Sequence, residues 1–141
     1  MPNDLPFHSL TALARLLERG ATTSRAIVEA CLARIDALDA HLHAFIDVYR
    51  DTALASADAA DRERRAKTER GSLAGLPIAL KDLFHIEGRQ TTAGSKSWLG
   101  RISDHTATAV ERLTAAGMIP LGKTHMVEFA FGGWGRNRPM G

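Results

Sequence analysis

Cysteine is nearly absent from this sequence. Cys31 is the single one, so no internal disulfide can form and a reducing compartment is the natural setting. The same shortage removes thiolate metal chemistry, and the 6 histidines include no His-Glu-x-x-His pair, so no metal is expected. An excess of charge of one sign is missing too. The 18 Lys+Arg are set against 16 Asp+Glu, a net charge of +2, and residues 61–70 mix both signs. That balance excludes a basic nucleic-acid stripe and makes residues 61–70 read as a solvated helix face. No apolar run approaches a membrane span, and residues 1–10 lack the basic and apolar regions of a signal peptide. A cytoplasmic protein without membrane attachment is the expectation.

What is present is enough for one core: 45% of 141 residues are hydrophobic, and nothing resembling a linker or repeat divides them. Residues 10–19 read as a short helix stopped by Gly20. Residues 24–38 form a second, capped by Thr23 or Ser24, with Ile27, Cys31, Ile35 and Leu38 along one face. Residues 43–49 suit a strand or extended link, and the alanine-rich stretch 51–67 suits a helix that Arg70, Gly71, Ser72 and Gly75 break. Leu76, Ile78, Ala79 and Leu80 make a brief buried strand with Pro77 at its start. After a small-residue loop at 91–97 comes a helix at 106–116, capped by Thr106 or Asp104, facing Val110 and Leu113 inward and stopped by Gly117. Residues 118–122 are a second buried strand, and this order argues for an α/β sheet with helical cover.

Lys81 sits where the first of these strands gives way to a loop, the place where α/β proteins set reactive groups. Partly desolvated, such a lysine can lose its proton near neutral pH and act as a base; otherwise it simply reaches to water. Residues 117–124, GMIPLGKT, match the P-loop letters. A phosphate cradle, however, needs a strand before it and a helix after it, and Pro120 removes one N–H donor. Gly117 is better read as a helix stop and Gly122 as a strand end, so nucleotide binding is set aside. Ser95 and Ser97 flank Lys96, but neither lies in a nucleophile motif, and their loop is read as shaping the space beside the sheet. In FAFGGWG, residues 129–135, the glycines let backbone approach a ligand between Phe131 and Trp134 as apolar walls, or form a tight turn packed by aromatics.

Three stretches carry a resemblance: TTSRAIVEACLARIDALDAHLHAFIDV (22–48), GLPIALKDLFHIEGRQTTAGS (75–95) and HTATAVERLTAAGMIPLGKTHMVEFAFGGWG (105–135). Together they resemble the first part of the amidase signature family, the Ser–Ser–Lys amide hydrolases, from about residue 10 to 141. The resemblance implies N-terminal helices followed by part of a mixed β-sheet covered by helices. It implies a small-molecule amide substrate and no cofactor. Lys81, which matches the family's G-x-P-x-x-x-K-D pattern, is implied as the base, with Asp82 orienting the loop. Gly132 and Gly133 are implied to line the substrate cleft, and Glu128 to anchor local structure. The family's GGSSGGS-type element, which by resemblance holds the nucleophile and bridging serine, does not occur in the sequence.

The expectation is therefore the N-terminal part of a single amidase domain spanning residues 1–141, truncated before its nucleophile and inactive alone. Two other readings accompany it. One is the glutaminase-type A subunit of a tRNA-dependent amidotransferase, working with a partner protein. The other is a non-catalytic remnant or binding module, suggested by the unusual Arg136-Asn137-Arg138-Pro139. A homodimer or a complex with a partner subunit is expected, with no direct nucleic acid contact.

Overall fold

The computed structural model describes residues 2–68 and 71–140. Helix α1 (Leu10–Glu18) starts on Ser9, whose hydroxyl accepts the Ala12 N–H at 3.2 Å, and Gly20 follows its end with φ +68°. Helix α2 (Ser24–Leu42) is capped by Thr23, which accepts from Ala26 N–H at 3.0 Å. It runs four residues beyond the expected end. It stops at His43 in the left-handed region, where Asp39 Oδ1 accepts the N–H groups of Ala44 and Phe45.

Helix α3 (Arg50–Arg65) lies against α2, and its Ala53, Ala57 and Ala60 let the two backbones come close over Val28 and Leu32. Asp61 is buried there: its carboxylate accepts the N–H groups of Ser24 and Arg25 at 2.8 and 3.0 Å, closing the start of α2. This corrects the reading of residues 61–70 as a wholly solvated face. The expected break at Arg70 lies outside the described residues, while Gly71 and Gly75 both take positive φ.

Strands β1 (Phe45–Val48), β2 (Pro77–Lys81) and β3 (Ile119–Thr124) form a mixed sheet in the order β1-β3-β2. β3 runs antiparallel to β1 and parallel to β2. The parallel pair needs a crossover, and helix α4 (Thr108–Ala115) lies on it. α4 begins later than expected, behind Ala107, which offers no side-chain cap. Thr106 is engaged elsewhere, accepting the Glu87 N–H at 3.0 Å. Gly122 sits at an irregularity in the β2–β3 register, and a Cβ there would come 2.2 Å from the Asp47 carbonyl oxygen of β1. Ile119 and Leu121 pack on α2 and α3, while Leu76 and Met118 join Leu13, Leu17 and Ile27. The α/β class and the mixed sheet are as expected.

Candidate active site

Alternation along β2 decides which lysine is buried. Leu80 and Asp82 turn inward and are buried, so Ala79 and Lys81 turn outward and are exposed. The partial desolvation expected of Lys81 is thus not met among the described residues. Its backbone is nonetheless well held. The Lys81 carbonyl accepts from Phe84 N–H at 3.0 Å, and the next N–H, of Asp82, donates to Thr124 O at 3.1 Å.

Behind Lys81 the 91–95 loop folds onto Asp82. Ala93 N–H donates to the Asp82 carbonyl at 3.1 Å, and the Asp82 carboxylate accepts from both the N–H and the hydroxyl of Thr92. The carboxylate's other oxygen receives Lys123, the buried lysine of this fold. Lys123 Nζ donates to Asp82 Oδ1 at 3.3 Å, to Gln90 O at 3.0 Å and to Thr91 Oγ1 at 2.5 Å. Those three bonds use all the protons of an ammonium. Burial pulls Lys123 below the usual lysine range, and the Asp82 charge opposes that shift.

In the sequence Lys123 stands out only as the lysine of the P-loop letters. With Lys123 fully buried on a strand, no phosphate loop remains. The signal that could have found it is strand register: Leu80 lies beside Lys123, so Asp82, two residues on, shares its face.

A second set of bonds ties this loop to residues 126–131. Ser95 is buried, and its hydroxyl donates to Glu128 Oε1 at 2.6 Å with Ser97 Oγ at 2.7 Å. Phe129 N–H donates to Ala93 O at 2.7 Å. Glu128 therefore holds the loop, in keeping with its expected local role.

Asn137, inside the unusual stretch 136–139, carries no sequence signal of its own. It is buried, and its amide donates to Gly94 O at 2.6 Å and Met126 O at 2.7 Å. Asn137→Ala is expected to strand both carbonyls and cost about 1–3 kcal/mol, measured by urea denaturation. An unchanged midpoint would show that the tie carries no weight.

Gly132 and Gly133 follow the 3-10 turn Glu128–Ala130; a Cβ on Gly132 would lie 3.5 Å from the Val127 side chain, while one on Gly133 would meet nothing within 4 Å. Phe131 and Trp134 are 94% and 91% exposed, so they wall no cleft here. Phe129 instead meets the edge of Trp98, centroids 5.2 Å apart. Among the described residues no group of three or more His, Cys, Asp or Glu could hold a metal. No helix among the described residues is long and apolar enough to cross a membrane.

A family model described as Amidase matches residues 26–141. Over 129 residues the chain is 46% identical to the A subunit of glutamyl-tRNA(Gln) amidotransferase from Streptomyces coelicolor, a match that covers 92% of this chain and 26% of that protein. The fold is similar to a chain of an inhibitor-bound vestigial protein complex linked to the origins of an s-triazine catabolic enzyme. There the TM-score is 0.90 at 38% identity, covering 95% of this chain and 30% of that one. It is also similar to native peptide amidase from Stenotrophomonas maltophilia, with TM-score 0.80 at 37% identity over 86% of this chain and 25% of that one. The chain spans about a quarter of the length of these relatives. With the matched region taking in the whole sheet and the Lys81 strand end, the chain belongs to the amidase family.

Proposed function

We propose that residues 1–141 are the N-terminal part of one amidase domain and supply the base of its amide-hydrolysing site. The observation that carries this reading is the setting of Lys81: last residue of β2, on that strand's open face, backed by the buried Asp82 and Lys123. In the chemistry implied by the family resemblance, a neutral Lys81 amine takes the proton of a bridging serine. That serine takes the proton of the nucleophilic serine, whose oxygen bonds to the amide carbonyl carbon. The amine leaves with a proton, and water later releases the acyl group. Both serines belong to a Gly- and Ser-rich element outside this sequence. Polypeptide covering the open face of β2 would desolvate Lys81 and lower its proton affinity, as a base requires.

In this reading Gly132 and Gly133 border the substrate, a small-molecule amide, and the protein works in the cytoplasm without a cofactor. A second reading, favoured by the 46% identity to the A subunit of an amidotransferase, makes the same site a glutaminase that works beside a partner protein. The test is to co-express the chain with the remaining part of that relative and assay glutamine and aryl amides. Hydrolysis is expected from the pair and none from the chain alone. A pair that co-purifies but is inactive, or turnover by the chain alone, would overturn the reading.

A further inference from the structure

The Lys123 ammonium opens onto a longer chain of hydrogen-bonded groups. Thr91 Oγ1 accepts from Lys123, so its own proton is free to go onward, to Ser103 Oγ at 2.9 Å. Ser103 Oγ also lies 2.9 Å from His85 Nδ1, and along this direction it accepts from Thr91 and donates to the ring. Thr91 and Ser103 are both buried. In that direction His85 Nδ1 is the acceptor, which is the neutral tautomer protonated on Nε2.

His85 stacks on His105 with centroids 4.7 Å apart and planes at 25°. His105 Nδ1 lies 2.7 Å from Asp104 Oδ1. The charged and titratable groups that act on His85 are His105, Arg101 and Lys123, which oppose a proton there, and Asp104, which favours it.

The loop bearing His85 is also tied to residues 101–107 by backbone bonds. Gly88 N–H donates to Ser103 O, Ser103 N–H to Arg89 O, and Ala107 N–H to His85 O, each at 2.9 Å. This loop begins at the turn that closes on the Lys81 carbonyl.

We propose that His85 is the pH-reading end of a one-way hydrogen-bond chain running from buried Lys123 through Thr91 and Ser103, and that proton uptake at His85 Nδ1 loosens the 85–91 loop from residues 101–107. A proton on Nδ1 sets a donor against the Ser103 hydroxyl and a cation beside Arg101, His105 and Lys123. Burial, then those charges, hold His85 below the ordinary histidine value of 6.5. A group so depressed stabilises its contact above the free value. The tie is complete above about pH 6.5 and weakens as pH falls toward the depressed value. The device goes beyond the base role of Lys81 and stands whether or not that role holds.

The test uses the whole chain with 15N-labelled histidine. At neutral pH the His85 Nδ1 resonance is expected in the unprotonated range and Nε2 in the protonated range. In Ser103→Ala, which removes the hydroxyl that donates to Nδ1, the His85 midpoint should rise, while burial and the neighbouring charges still hold it below the ordinary value. Amide exchange at Gly88 and Ala107, corrected for the intrinsic effect of pH, should quicken several-fold on acidification. In His85→Asn, which keeps an acceptor but takes no proton, that acceleration should vanish. An Nδ1–H tautomer, a midpoint unmoved by Ser103→Ala, or acid loosening that persists in His85→Asn would overturn the proposal.

Discussion

Replacing Lys123 with methionine is expected to lower the unfolding free energy by about 3–5 kcal/mol, because it leaves the Asp82 carboxylate buried and unpaired. Methionine nearly matches the lysine stem in shape, so the loss reports the charge and its bonds more than a cavity. Three acceptors lose their donor at once: Asp82 Oδ1, Gln90 O and Thr91 Oγ1. A domain of this size has roughly 5–15 kcal/mol in total, so much of its stability rests on one side chain. Asp82→Asn is the milder partner variant, since the amide oxygen still accepts from Lys123. In the double variant the losses should fall short of additivity by about 0.5–3 kcal/mol. Urea denaturation of the four chains measures this, and a Lys123→Met loss below about 1 kcal/mol would show the pair to be dispensable.

The other lysine is expected to behave in the opposite way. Lys81→Ala removes an exposed side chain for which no hydrogen bond or ion pair is described, so stability should move by no more than about 0.5 kcal/mol. In the chain paired with the rest of the domain, amide hydrolysis should fall by about 10²–10⁴-fold, the usual worth of a positioned base. Lys81→Arg should not restore it, because a guanidinium does not give up its proton in a protein. Retention of more than a tenth of the activity by either variant would remove Lys81 from the chemistry. One lysine should thus cost fold and the other function, and paired melting and rate measurements separate them.

Much of this arrangement is legible before any coordinates. Gly20 and Gly117 stop helices where glycine is well suited to do so, and Leu76 to Leu80 announce a strand that must end near Lys81. The helix face at Ile27, Cys31 and Ile35 is real, although Val28 and Leu32 are buried more deeply than Cys31 and Ile35 because α3 approaches through alanines. What sequence hides is partnership across distance. Asp61 looks like one charge in a mixed run, yet it serves helix N–H groups 36 and 37 residues away. Lys123 borrows the letters of a phosphate loop, and only β2–β3 register turns it toward Asp82, 41 residues earlier. Asn137 carries no periodic signal, since its two acceptors are backbone carbonyls that any residue offers.

The sheet order β1-β3-β2 also bears on birth at the ribosome. Of the three described strands the last to be made takes the middle seat, so β1 and β2 lack the strand they pair with here until residues 119–124 have emerged. Helices α2 and α3 are already complete by residue 65 and can dock early, through contacts close in sequence. The nascent chain therefore waits as a helical hairpin trailing two unpaired β segments, the state in which stray strand pairing is most costly. When β3 arrives, one event closes both ladders and buries Lys123 against Asp82. Translation speed through α4, the last stretch before that event, sets how long the waiting lasts.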